Sequence, residues 1–126
     1  MTKVLLLEPD RVSARCIVEE LSKRDLEVSV ASTAESAIGL ADKVNPDIVI
    51  SELSLAGHSG SEFIYEFRTY TDWQNTPLLI YSSIKQSDKI TSSKDWKLLN
   101  IHSVLYKPDF SLKKLGDLVE DLTVAG

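Results

Sequence analysis

The chain has 126 residues, 43% apolar and 26% charged, which suits one domain around one core and excludes disordered or fibrous material. A net charge of −5 with no basic tract argues against nucleic-acid binding. The longest N-terminal apolar run, Val4 to Leu7, is far too short for a secretory signal or a spanning helix, so a cytoplasmic protein away from the membrane is expected.

Short apolar runs alternate with helical patterns along the chain, which predicts five βα units feeding a parallel sheet. The first strand is expected over Lys3 to Leu7. Asp10 caps a first helix with Val12, Cys16, Ile17 and Leu21 at helical spacing, and the single cysteine reads as a small buried hydrophobe. The second strand, Glu27 to Ala31, alternates and so is placed near a sheet edge. Ser32, followed three residues later by Glu35, forms a capping box for a helix through Ala34, Ala37, Ile38 and Ala41, which Asn45 and Pro46 stop. The third strand, Asp47 to Ser51, runs into Glu52. A third helix places Phe63, Ile64 and Phe67 in the core, with Trp73 as a loop anchor.

The fourth strand, Leu78 to Ser82, opens onto "SSIKQSDKITSSKD", Ser82 to Asp95, a polar stretch expected to be the most mobile part. A fourth helix holds Trp96, Leu98 and Leu99, and Asn100 ends it in the left-handed conformation. The fifth strand, Ser103 to Tyr106, precedes a helix with Leu112, Leu115, Leu118 and Leu122 on one face. No linker interrupts the pattern, so residues 1–126 form one domain. Residues 1–84 hold 7 basic and 13 acidic side chains against 7 and 6 in residues 85–126, so the basic share lies in the last third.

In an open parallel sheet the functional crevice lies beyond the carboxyl ends of the strands. Those exits carry Glu8 with Pro9 and Asp10, then Glu52, then Ser82 with Ser83, and finally Lys107 with Pro108. His58 and His102 stand 44 positions apart without partners at ligand spacing, so no metal centre is expected from them. No "GxGxxG" or P-loop follows the first strand, which disfavours a nucleotide or flavin binder.

With "KVLLLEPD", "PDIVISELSLAGHSG", "PLLIYSS" and "VLYKP" in this order, the chain resembles the receiver domain of bacterial response regulators over nearly its whole length. The resemblance implies a flavodoxin-like, doubly wound five-stranded parallel α/β sheet, the (βα)5 receiver fold, acting in two-component signalling. In that family an acid pair after the first strand holds Mg²⁺ and an aspartate ending the third strand accepts a phosphoryl group. A Thr or Ser after the fourth strand and a Lys before a Pro bind the phosphoryl oxygens. By position, Glu8 and Pro9 occupy the acid pair, Glu52 the acceptor, Ser82 the hydroxyl and Lys107 the lysine. The Lys107–Pro108 bond is expected to be cis, as is usual in the family.

Three departures follow. Pro9 offers no side-chain metal ligand, which leaves Glu8 unless Asp10 swings in. Glu52 is one methylene longer than aspartate, and phosphoryl transfer depends on positioning. Val104 stands where active receivers carry the Phe or Tyr that switches inward.

The resemblance therefore implies a non-enzymatic pseudo-receiver without a cofactor, a phosphorylation-independent interaction module in which Mg²⁺ binding is not expected. Its partner, a protein or a second copy, is expected on the Thr91 to Leu122 face, with an output or kinase module possible in a longer chain. The alternative is a phosphorylatable receiver that uses Glu52, Ser51 or Ser54 as acceptor and Glu8 or Asp10 for the metal. Glu52 reads either as a fixed charge paired with Lys107 or as a solvated remnant, and Ser82 either as a pocket hydroxyl or as a turn residue. Asp10 reads first as an ordinary first-turn acid.

Overall fold

Continuously apolar strands need cover on both faces, and the fold supplies it. The computed structural model describes residues 1–55, 58–86 and 93–123. Strands β1 (Thr2–Leu7), β2 (Leu26–Ala31), β3 (Ile48–Ser51), β4 (Leu78–Ser82) and β5 (Ser103–Tyr106) form one sheet in the order β2–β1–β3–β4–β5, every neighbouring pair parallel. The alternating strand β2 does lie at an edge, with Val30 42% exposed.

The helices are α1 (Arg11–Ser22), α2 (Ala34–Val44), α3 (Gly60–Thr69), α4 (Lys94–Leu98) and α5 (Leu112–Thr123). Successive strand residues face opposite ways, so two cores result. Leu5, Leu7, Val49, Leu78 and Ile80 pack with Ala37, Ala41, Phe63 and Phe67 of α2 and α3. Val4, Leu6, Ile48, Ile50 and Leu79 pack with Ile17, Leu21, Leu115 and Val119 of α1 and α5. Trp73 anchors its loop as expected, stacking on Phe67 with ring centres 4.8 Å apart. Among the described residues no helix is long and apolar enough to cross a membrane.

Several expectations are corrected. The buried stripe of α1 is Ala14, Ile17 and Leu21; Val12 is 71% exposed and Cys16 is exposed, because packing Ile17 and Leu21 against the sheet turns both outward. The α2 capping box is made one residue later, by Thr33 with Ser36, since the chain enters the helix at Ala34. On α4, Leu98 is 77% exposed while Leu99 takes the core position. The α5 face is as expected, with Leu115 buried and Leu112, Leu118 and Leu122 packed against the same core, and Val119 is fully buried among them. The Lys107–Pro108 bond is trans: Pro108 lies in a 3-10 turn, Lys107–Asp109, whose φ its ring supplies. Asn45 and Asn100 end their helices with φ of 51° and 52°, a conformation asparagine tolerates. A two-residue hairpin, Ser54–Leu55 with His58–Ser59, follows β3 unannounced by any apolar run. Part of the stretch expected to be mobile, residues 87–92 and with them Thr91, lies outside the described residues.

Candidate functional site

Register sets the site. Leu7 lies opposite both Ala31 and Ser51, Ser51 opposite Ile80, and Ser82 opposite Tyr106, so β1, β3, β4 and β5 end close together and deliver their next residues to one crevice. Glu8 and Glu52 are each only 3% exposed there. Two buried carboxylates need partners, and Lys107 serves both. Its Nζ donates to Glu8 Oε1 and lies 3.3 Å from Glu52 Oε1. It also donates to the Ser13 hydroxyl at 3.1 Å, and that hydroxyl donates in turn to Glu8 Oε1 at 3.0 Å.

Glu52 is held more completely still. Its Oε2 accepts from the amides of Leu53 (2.7 Å) and Ser54 (3.1 Å). Its Oε1 accepts from the Ser83 amide (2.9 Å) and the Ser83 hydroxyl (3.1 Å), besides facing Lys107. A carboxylate with this many donors is fixed in place as an anion. Burial alone would raise the Glu52 carboxyl. Hydrogen bonding from Ser82, the Ser83 and Ser54 amides, and the Lys107 charge together outweigh burial and hold it below its ordinary value. Burial likewise would lower the Lys107 ammonium, but the hydrogen bond to Glu8 and the charges of Glu8 and Glu52 hold it above its ordinary value.

The sign of the pH dependence follows. A depressed carboxyl contributes stability that is present above its unfolded value of 4.5 and is lost as pH falls through the folded value. Glu52→Gln, which turns an amide NH₂ toward donors, is expected to cost about 1–3 kcal/mol at pH 7. The same substitution should flatten the acid limb of stability below pH 4.5, as measured by urea unfolding across pH. An unchanged acid limb would mean that Glu52 is not the titrating group.

The solvated-remnant reading of Glu52 is corrected by its burial. Asp10 is an exposed helix cap: its carboxylate accepts from the Val12 amide at 3.1 Å, and only its own amide reaches Glu8, at 3.2 Å. Ser82 is fully buried, and its hydroxyl accepts from the Ile84 amide at 3.1 Å, within its own loop. Val104 is half-buried on β5, beside a hollow it shares with Ile84, Tyr106 and Phe110. Ser51 spends its hydroxyl on the Glu52 carbonyl, 3.1 Å away, and the Ser54 side chain is exposed. Sequence reasoning missed the role of Ser13 and did not foresee that the Ser83 hydroxyl joins Ser82 beside Glu52. The available signal was local: both serines sit within one turn of a strand exit.

Comparison with known proteins bears on the family and the fold. Residues 4–120 match the protein family described as "Response regulator receiver domain". The chain is 28% identical to the sensor histidine kinase TmoS of Ectopseudomonas mendocina over 122 residues, 95% of this chain and 12% of that protein. It is 30% identical to the KDP operon transcriptional regulatory protein KdpE of Escherichia coli (strain K12) over 93 residues, 73% of this chain and 40% of that protein. It thus spans less than half the length of both relatives. The structure of the Vibrio cholerae chemotaxis protein CheY4 shares the fold at a TM-score of 0.84 and 23% identity, over 97% of this chain and 98% of that one.

Proposed function

The chain belongs to the response regulator receiver domain family of two-component signalling, and from that premise we propose that it is a pseudo-receiver whose Glu52 supplies a permanent negative charge. One observation carries this reading: both Glu52 oxygens are already engaged, Oε2 by two amides and Oε1 by Ser83 and Lys107. An acceptor must present a free oxygen in line with the incoming phosphorus, and in-line transfer tolerates little displacement. The glutamate instead takes the hydroxyl, amide and lysine donors that a phosphoryl group would otherwise use.

The donor set also does not fit Mg²⁺. Pro9 offers no side-chain oxygen, Asp10 caps α1, and an ammonium already lies against both Glu8 and Glu52. On this reading Lys107 supplies the positive charge and the module needs no metal. Val104 gives no aromatic ring to swing, so the surface that includes β5 is held in one state. The module acts in the cytoplasm by protein contact through the Thr91 to Leu122 face. It regulates a kinase or output partner, the settings in which the relatives named a sensor kinase and a transcriptional regulator carry their similar stretches.

The test is intact mass after incubation with Mg²⁺ and acetyl phosphate, beside a Pro9→Asp, Glu52→Asp variant. No adduct on the native chain together with an adduct on the variant is the expected result. A stable adduct on the native chain would overturn the reading, and its mapped residue would identify a working acceptor.

A further inference from the structure

Two surface features of opposite sign lie outside the Glu8, Glu52 and Lys107 cluster. Between α2, the hairpin and α3 runs a groove of about 560 Å³ with Ile38, Leu55 and Phe63 on its floor and Glu35, Glu62 and Glu66 on its rim. No lysine or arginine is among the described residues that line it. Leu55 belongs to the loop whose Leu53 and Ser54 amides Glu52 holds, so this wall is built before any partner arrives. Preorganisation of that kind lowers the entropy cost of binding.

The second feature is on α4. Leu98 is 77% exposed, and Lys94 and Lys97 are exposed beside it. Lys94 and Leu98 are one turn apart, with Lys97 next to Leu98, so an apolar tip and two ammonium groups share one side of the helix. One exposed leucine is ordinary by itself. Here it stands between cations, while Trp96 and Leu99 of the same segment pack toward the core. The knob carries the charge that the groove's rim lacks and an apolar side chain that its floor can cover.

We propose that the acidic α2–α3 groove of one copy of this chain receives the Leu98 tip of α4 from a second copy, with Lys94 and Lys97 set against Glu35 and Glu66. Each copy carries both halves, so the contact joins unlike patches. Charge complementarity brings the two together and sets their register. The contact is small, and interfaces below about 1,200 Å² are weak and transient, so the association is concentration-dependent and salt-sensitive. It does not depend on whether Glu52 is ever phosphorylated.

The test is sedimentation velocity on the native chain and two charge-reversed variants, Lys94→Glu with Lys97→Glu, and Glu35→Lys with Glu66→Lys, each checked for native circular dichroism. The native chain is expected to rise from monomer mass through dimer toward longer head-to-tail species, with Kd on the order of 0.1–1 mM per contact. Association should weaken at least about tenfold between ~50 and ~500 mM salt. Each variant alone should stay monomeric, whereas their equimolar mixture should associate, because one keeps a native groove and the other a native knob. A native chain that stays monomeric to about 1 mM overturns the proposal and leaves the groove to a foreign cationic segment. So does association that survives either reversal, or a mixture that fails to associate.

Discussion

Lys107→Met is expected to cost about 3–5 kcal/mol of unfolding free energy at pH 7, the range for leaving buried charge without its partner. Methionine keeps most of the stem's volume and removes only the ammonium. Glu8 and Glu52, with side chains 2% and 4% exposed, would then face each other with no cation between them. Two carboxylates that shared one nitrogen cannot both stay ionised cheaply, so one of them takes a proton and its pKa rises. A group with a raised folded pKa contributes stability that is present below its unfolded value, near 4.5 here, and is lost as pH rises through the folded value.

The native chain behaves in the opposite sense, since its Glu52 carboxyl is depressed and its contribution fails as pH falls below 4.5. The gap in stability between native and variant should therefore be widest near neutrality and should narrow as pH falls toward 4.5. Urea unfolding at a series of pH values measures it. A pH-independent gap, or one below about 1 kcal/mol, would mean that water replaces the ammonium and that the charge cluster is worth no more than an exposed pair.

Strands β1, β3 and β4 were legible because burial on both faces leaves a continuous apolar run, as in "VLLL" and "LLIY", and β2 because its residues alternate. The four strand-exit positions followed from the sheet's polarity, and they do converge. Contacts among them were less legible. That Glu52 is buried and saturated depends on the amides of Leu53, Ser54 and Ser83, and backbone donors leave no mark on residue identity. The α1 face was misread because Val12, Cys16 and Ile17 offer a stripe nearly as regular as Ala14, Ile17 and Leu21, and small alanine hides the true one. Adjacent hydroxyls at Ser32 and Thr33 made two equally good caps, and only the entry of the chain into α2 selects between them. Leu98 and Leu99 were likewise not told apart by the sequence, and only the packing of α4 buries Leu99 and exposes Leu98.

Arg68 went unremarked in the sequence, yet its guanidinium donates to four carbonyls: Trp73 at 2.6 Å, Thr76 and Leu99 at 2.8 Å, and Asn100 at 3.0 Å. Burial pulls this group below its ordinary pKa. Leu99 and Asn100 close the end of α4, whereas Trp73 and Thr76 belong to the segment leading into β4, so one side chain of α3 joins three pieces of chain. Each hydrogen bond to a charged group is worth roughly 1.5–3 kcal/mol, non-additively and less where water can reach the carbonyl. Arg68→Ala is therefore expected to lower stability by about 3 kcal/mol, a large share of the 5–15 kcal/mol typical of a domain.

Arg68→Lys should recover little of that, because one ammonium cannot reproduce a planar fork aimed at four oxygens. Hydrogen exchange supplies the decisive readout. If Arg68 pins α4, the amides of Lys97, Leu99 and Asn100, which donate within that turn, should lose protection in Arg68→Lys before the β1 and β3 amides do. A uniform loss of protection across the sheet would instead make Arg68 a contributor to global stability with no special hold on α4. Because Leu98 projects from this same short helix, loss of the pin should also remove the rigid knob.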